Sequence, residues 1–382
     1  MSRLSRIAKA LLVITAVTHL GFFGAAYGAL TLAGARFPGA GAALATLVGY
    51  SGIVAVVRKG LDDRKSPAWR ARFLRIPYFV HWCACVFTLL PDLLYVVLRP
   101  LGGLAVGDAR VPPSGFLVIY AVGLVVCAYG VLVRRRVFQE LHVEVRVRDL
   151  PPAFEGFTIA HLSDLHIGAL TPEDWGHRWV RAANAFAADV AVVTGDMVTS
   201  GTAFHEDIAR VVSALRARDG VFVSMGNHDY FGEGEPLVSL LAAGGSRVLR
   251  NEGVVLTRGD ARLYLAAIDD TWTRRADLDL ALAERPAGVP CVLLAHDPEM
   301  FPKAAARGVD VTLSGHTHGG QIAVPFLAER FSLATLAHTF NLGVYRDGDA
   351  TLYVHPGLGT TGPPIRLGAA PAVVKLTLRA AA

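Results

Sequence analysis

The stretch Val190-Ala191-Val192-Val193-Thr194-Gly195-Asp196 decides the fold. Five residues of strand-forming character end at a glycine, and a carboxylate stands directly past them. The arrangement recurs along the chain. Phe157–Leu162 runs into Ser163-Asp164-Leu165-His166, and Val221–Met225 into Gly226-Asn227-His228-Asp229. Val292–Ala295 runs into His296-Asp297, and Val309–Leu313 into Ser314-Gly315-His316-Thr317-His318. Amphipathic helical patterns lie between them at Arg178–Ala188, Glu206–Ala217, Pro236–Ala243, Leu278–Glu284 and Pro298–Arg307, and Thr351–Val354 is a further strand-like run. Such alternation predicts an α/β domain of sheet strands with covering helices. An alternating segment, Leu141–Arg148, adds a strand before Pro151-Pro152 interrupts it. Ligands of open α/β sheets gather beyond the carboxyl ends of strands. Five strands therefore deliver Asp, His and Asn side chains to one rim.

Upstream the chain changes character. Of 37 Lys and Arg and 32 Asp and Glu, residues 1–136 hold 16 basic and 4 acidic, leaving 21 against 28 for the remainder. Over the 382 residues, 53% are apolar and 18% charged, against roughly 45–50% and 25% in a soluble globular chain. That composition excludes a disordered protein, and four Cys exclude a disulfide-stapled scaffold. Four stretches reach the length of about 20 apolar residues that a bilayer crossing needs: 10–35, 37–57, 76–98 and 111–133. Four successive spans do not fit a secretory signal peptide. Lys and Arg cluster at the N-terminus, after the second span and at Arg134-Arg135-Arg136, whereas the other two connections carry only Arg36, and Arg99 with Arg110. This alternation predicts cytoplasmic termini and a multi-pass protein of the inner or cell membrane. The domains are then 1–136 in the membrane and 137–382 in a reducing compartment. Cys83, Cys85, Cys127 and Cys291 read as small buried apolar groups. Within the spans, Asp92 is expected to reach the interface or pair with Arg99, and His19 and His81 to face neighbouring helices; a transport path is the alternative role for Asp92. The basic residues form no stripe on the second region, and no nucleic acid is expected as a partner.

From Phe157 on, the chain resembles the calcineurin-like metallophosphoesterases. Their series D-x-H, G-D, G-N-H-D, H and G-H-x-H is complete and in order, and Ser163–Gly168, Gly226–Tyr230 and Ser314–Gln321 resemble the membrane-tethered branch most. The resemblance implies an αββα sandwich following the four-helix membrane bundle. It also implies two divalent metal ions, one held by Asp164, His166, Asp196 and His318, the other by Asp196, Asn227, His296 and His316. Asp196 would bridge them, and a mixed carboxylate, imidazole and amide set suits Mn, Fe or Zn. Beside Asn227, His228 would protonate or steady the leaving oxygen, with Asp229 orienting its ring. Arg366 is a candidate substrate-binding residue, and Asp269-Asp270 match a D-D element read as structural.

Two departures bear on substrate. Asp196 is followed by Met197-Val198-Thr199-Ser200-Gly201, without the Arg with which protein Ser/Thr phosphatases of this superfamily grip phosphate. His355 stands where the tethered branch usually has Ser or Asn, and Ala372 where it usually has Glu. The segment from Ile322 to Leu342 is apolar apart from Glu329 and Arg330, and reads either as a lid or lipid-facing surface or as a buried helix and loop. The resemblance implies a membrane-tethered phosphoesterase acting on a phosphodiester or pyrophosphate, with a lipid-linked substrate such as UDP-diacylglucosamine the leading expectation. An anchored nucleotide or cyclic-nucleotide phosphodiesterase and a non-catalytic metal-binding scaffold are the alternatives.

Overall fold

The computed structural model describes residues 6–59, 64–104 and 110–381. Packing divides the chain into two units, Met1–Leu61 with Pro67–Val133, and Asp62–Ser66 with Arg134–Ala382.

The first unit is helical: α1 (Arg6–Leu32), α2 (Pro38–Lys59), α3 (Ile76–Leu104) and α4 (Pro113–Leu132). All four are long and apolar enough to cross a membrane. Leu20, Leu44, Val48, Leu90, Val118 and Val125 each expose more than half of their surface. In water such an apolar exterior would be a severe liability; against lipid tails it costs nothing. Inside the bundle, close approach depends on glycine. A Cβ at Gly52 would overlap Tyr78, and one at Gly123 would crowd Thr88. Asp92 lies buried against Gly21 of α1, 6% exposed.

The second unit is a sandwich of two six-stranded sheets. One sheet contains β1 (Gln139–Val147), β2 (Thr158–Leu162), β3 (Val190–Thr194), β4 (Val221–Ser224), β5 (Arg247–Val248) and β12 (Ala372–Ala380), in the order β1-β12-β2-β3-β4-β5. The other contains β6 (Glu252–Arg258), β7 (Ala261–Ala267), β8 (Cys291–Leu294), β9 (Val311–Ser314), β10 (Gly343–Asp347) and β11 (Ala350–Val354), in the order β10-β11-β9-β8-β7-β6. Period-two alternation sends each strand's two faces to different layers. Ile159, Val190, Val192, Leu265, Val292, Leu313 and Leu376 fill the space between the sheets. Ala160, Leu162, Ala191 and Val193 face outward, onto Trp179 of α5 (Glu173–Ala185), Ile208 of α6 (His205–Ser213) and Leu237 of α7 (Gly234–Ala243). On the far side Tyr264, Ala266 and Leu293 pack on α8 (Leu278–Leu282) and α9 (Phe301–Ala306). The layers are αββα, as the resemblance implies.

Both sheets are parallel at their centres: β2, β3 and β4 in one, β7, β8, β9 and β11 in the other. Parallel neighbours end at one edge, which is why the loops after β2, β3, β4, β8 and β9 meet. The predicted strands at these positions are present, Val190–Thr194 with the same bounds and the others shifted by one or two residues at one or both ends. Two hairpins are additions to the sequence reading. Arg258 pairs with Ala261 across Gly259-Asp260, and Asp347 with Ala350 across Gly348-Asp349; each glycine has positive φ. A two-residue Gly-Asp loop is a hairpin signal by itself.

Candidate metal centre

Every loop that leaves the sheet edge is pinned before its side chains are placed. The Asp164 N–H donates to the Gly195 carbonyl at 3.0 Å, and the His166 N–H to the Asp196 carbonyl at 3.0 Å. Across the sandwich, the His316 N–H donates to the Asp164 carboxylate at 3.0 Å, and the Gly359 N–H to the Asp164 carbonyl at 2.7 Å. The backbone bends sharply to allow this. Asp164, His166, Asp196, His316 and His318 all have φ between 46° and 72°, a left-handed conformation that costs an L-residue about 1–2 kcal/mol. Strain of this kind concentrates where side-chain aim matters more than stability. Gly195 relieves the tightest point: at φ 79°, an added Cβ would stand 2.6 Å from the Gly226 nitrogen.

The ligand-type side chains fall into two groups. Asp164, His166, Asp196 and His318 offer ligand atoms within 4.8 Å of one another, as do Asp196, His296 and His316. Asp196 belongs to both. The His296 Nε2 is 3.2 Å from Asp196 Oδ2, His166 Nε2 3.6 Å from the same oxygen, and His318 Nε2 3.3 Å from Asp164 Oδ1. Paired nitrogens face each other closely, His166 Nε2 and His318 Nε2 at 3.0 Å, His316 Nδ1 and His296 Nε2 at 3.2 Å. The His296 Nδ1–H donates to the Thr194 carbonyl at 2.7 Å, which turns Nε2 toward Asp196.

Burial decides the electrostatics. It pushes His166 down to about 3 and His318 well below the usual imidazole range, with neighbouring His166 and Arg366 adding to the effect at His318. It raises the Asp164 carboxyl to about 6, and the nearby Asp196 charge adds to that shift. Asp196 stays well below the carboxylate range because His296 and His228 beside it outweigh its burial. Burial likewise opposes charge on His296, yet Asp196 and Asp164 raise it to about 10. Two buried carboxylates among imidazoles suit a further positive charge at their centre, which a divalent ion would supply. Asn227, 4% exposed in the turn after β4, leaves its Oδ1 buried without a hydrogen-bond partner among the described residues. A buried carbonyl oxygen left without a partner is a donor of the kind that, with carboxylates and imidazoles, fits a divalent metal ion.

The remaining candidates divide. His228 is half-buried; its N–H donates to Asp196 Oδ1 at 2.9 Å and its Nδ1 lies 2.6 Å from the Thr199 carbonyl. The proton is therefore on Nδ1, and Nε2 points toward Thr361 Oγ1 at 3.3 Å. Asp229 does not orient that ring, contrary to the sequence reading. Its carboxylate accepts from the Met197 N–H at 2.8 Å, the Val198 N–H at 3.3 Å and the Gly226 N–H at 2.9 Å, and so clamps the two turns.

Arg366 is also corrected. It is fully buried, donating to the carbonyls of Gly359 and Pro356 at 2.7 and 2.8 Å, with Nη2 3.3 Å from His318 Nδ1. A guanidinium spent on backbone oxygens is a brace behind His318 and has no face open to an anion. His355 is fully buried too, 4.7 Å from the His161 ring, and its Nδ1 accepts from the Gly357 N–H. Asp269 accepts from Tyr230 Oη and Arg250 Nε, in keeping with its structural reading.

Sequence reasoning missed the walls of the site. Trp272, 61% exposed, lies 5.2 Å from the His316 ring, His338 lies 5.3 Å from it, and Phe231 lies 4.5 Å from His228. No motif includes them: Trp272 and His338 come from loops remote in sequence from His316, and Phe231 stands just past the Gly226–Tyr230 motif. The apolar segment behind His318 is exposed and is not a buried helix. Phe326 is wholly exposed, and Leu336 is 84% exposed.

Comparison with known proteins agrees with this geometry. The family model for calcineurin-like phosphoesterases matches residues 157–320. The chain is 32% identical over 235 residues to the uncharacterized metallophosphoesterase YkuE of Bacillus subtilis, which covers 60% of this chain and 82% of that one. It is 30% identical over 271 residues to a transmembrane protein with metallophosphoesterase domain from Danio rerio (67% of this chain, 61% of that one). A Helicobacter pylori metallophosphoesterase is 32% identical over 224 residues (57% and 58%). The chain thus spans about three fifths of the length of the latter two relatives.

Proposed function

Because the chain belongs to the calcineurin-like phosphoesterase family, we propose that it is a membrane-tethered, two-metal phosphoesterase that hydrolyses a phosphodiester or pyrophosphate bond of a lipid-linked substrate. The observation that carries this reading is the membership of Asp196 in both ligand groups, since a carboxylate with two oxygens can serve two cations. In this reading Asp164, His166, Asp196 and His318 hold one ion of Mn, Fe or Zn, and Asp196, Asn227, His296 and His316 the second. When bound, such a pair supplies Lewis-acid stabilisation at phosphorus and a nucleophilic water near neutral pH.

The protein's own groups position and protonate. Thr194 and Asp229 hold His296 and the two turns in register through the hydrogen bonds described above. His228, with its Nδ1 proton committed to Thr199, has Nε2 free to carry a proton to a departing oxygen. Arg366 steadies His318 from behind. No arginine follows Asp196, which argues against a phosphoprotein substrate.

The lipid-linked part of the proposal draws on the exposed apolar side chains of Val324, Phe326, Leu327, Phe331, Leu333 and Leu336, which follow His318 directly in the chain. Side chains of this kind partition into acyl chains at roughly 1.5–3 kcal/mol each when fully buried. A membrane anchor also raises the effective concentration of membrane-borne substrate. Lys and Arg at the ends of the spans support a cytoplasmic catalytic unit, with residues 1–136 as the anchor. The exposed indole of Trp272 beside His316 favours a second reading, a nucleotide or cyclic-nucleotide diester whose base stacks there. The test is hydrolysis by the full chain in nanodiscs with Mn, comparing a UDP-diacylglucosamine-type pyrophosphate, cyclic nucleotides and an artificial diester. Preference for the lipid pyrophosphate supports the first reading; preference for cyclic nucleotides overturns its substrate.

A further inference from the structure

Three ligand-type side chains meet inside the helical unit, and the phosphoesterase reading does not use them. His19 of α1 and His81 and Cys85 of α3 each offer an atom within 4.8 Å of the others. His81 and Cys85 are four residues apart, which places them on one face of α3. His19 and Cys85 are 1% and 0% exposed. The His81 Nε2 and His19 Nε2 stand 3.3 Å apart, and Cys85 Sγ is 3.9 Å from His81 Nε2.

The nitrogen–nitrogen spacing is that of two ligands on one metal ion; the thiol, also 3.8 Å from His81 Nδ1, lies within reach of the pair. Two imidazole nitrogens bound to one tetrahedral ion at about 2.05 Å lie about 3.3 Å apart, and a nitrogen and a sulfur on that ion about 3.6 Å apart. A ligating histidine usually gives its other N–H to a fixed oxygen. The Tyr120 hydroxyl of α4 lies 2.7 Å from His81 Nδ1 and can accept its proton, the tautomer in which the Nε2 lone pair faces His19. Gly49 of α2 keeps the approach open, since a Cβ there would stand 2.7 Å from His81 Nε2 and 3.0 Å from His19 Nε2. Imidazole and thiolate together select zinc or copper(I) over Mg, Ca or Mn. A thiolate also offsets part of the cation's charge in a region where uncompensated charge is costly.

We propose that His19, His81 and Cys85 form a zinc- or copper(I)-binding site inside the helical unit, separate from the metal centre that contains Asp196. The competing account is a plain imidazole–imidazole hydrogen bond. The full chain in nanodiscs is loaded with Co(II), and the near-ultraviolet thiolate-to-cobalt band is read; the sites around Asp196 contain no sulfur and are silent in it. The expected result is a band in the wild type that is lost in Cys85→Ser and weakened about tenfold in cobalt affinity in His19→Gln. Loading with Zn(II) or Cu(I) in place of cobalt then shows one metal ion per chain fewer in Cys85→Ser for the ion the site prefers, with hydrolysis of an artificial diester unchanged. A folded wild type without the band, or a band that survives Cys85→Ser, overturns the proposal. His19→Gln keeps the thiol and a hydrogen-bonding side chain, so the test stands even if Cys85→Ser fails to fold.

Discussion

At the rim of the sandwich, Asp164, His166, Asp196, His316 and His318 all occupy left-handed backbone, and their loops are cross-tied by hydrogen bonds between the sheets. In the helical unit, His19, His81 and Cys85 sit on ordinary helix, aimed only by a four-residue spacing and by packing on Gly49 and Tyr120. The difference shows two ways of building a ligand set. Strand ends permit individually shaped turns, so six residues from four loops converge, but each turn carries strain that the rest of the domain offsets. A helix permits no such shaping, and only i,i+4 neighbours and a facing helix can supply ligands.

Mutations can break or sharpen this contrast. The largest effect is expected from Asp196→Asn, which removes the one carboxylate common to both groups. Hydrolysis of an artificial diester should fall more than about a thousandfold, several kcal/mol of transition-state stabilisation, with loss of bound metal. A variant that keeps its rate would reduce the strained rim to a structural feature. His228→Ala should lower kcat by about a hundredfold or more while metal content stays constant, which separates proton delivery from ligation. Arg366→Met should weaken metal affinity about tenfold to a hundredfold through a loosened His318, measured by chelator competition. If metal affinity holds while KM for the diester rises, Arg366 contacts substrate after all. The smallest effect belongs to Phe326→Ser with Leu336→Ser, expected to lower turnover of a lipid-linked substrate by less than about tenfold and to leave a water-soluble diester untouched. Equal losses on both substrates would remove the lipid-facing role.

Much of the rim was legible beforehand because its signal is local. A run such as Val190–Thr194 with Gly195-Asp196 behind it announces both the strand and the ligand, and parallel strands must finish at the same edge. Four apolar spans are equally local, a matter of length and hydropathy. The hairpins at Gly259-Asp260 and Gly348-Asp349 had a local signal too, which the sequence reading passed over; β12, by contrast, is recognisable as an inner strand only from its neighbours β1 and β2. Asp229 and Arg366 were misread for a different reason. A polar residue beside a motif looks catalytic in one dimension, whereas its role depends on which backbone groups would otherwise be left unpaired.

Residue order, read through the family resemblance, named the rim side chains that could bind metal, and apolar length alone named the segments that could lie in lipid. Tertiary contact was needed to show that Asp196 serves two groups, that Trp272 and Phe231 wall the site and that the 322–342 segment is exposed. It was also needed to bring His19 to His81 and Cys85. Apart from Phe231, which stands three residues beyond His228, these are matters of burial or of proximity between residues far apart along the chain, and packing, not spacing, sets them.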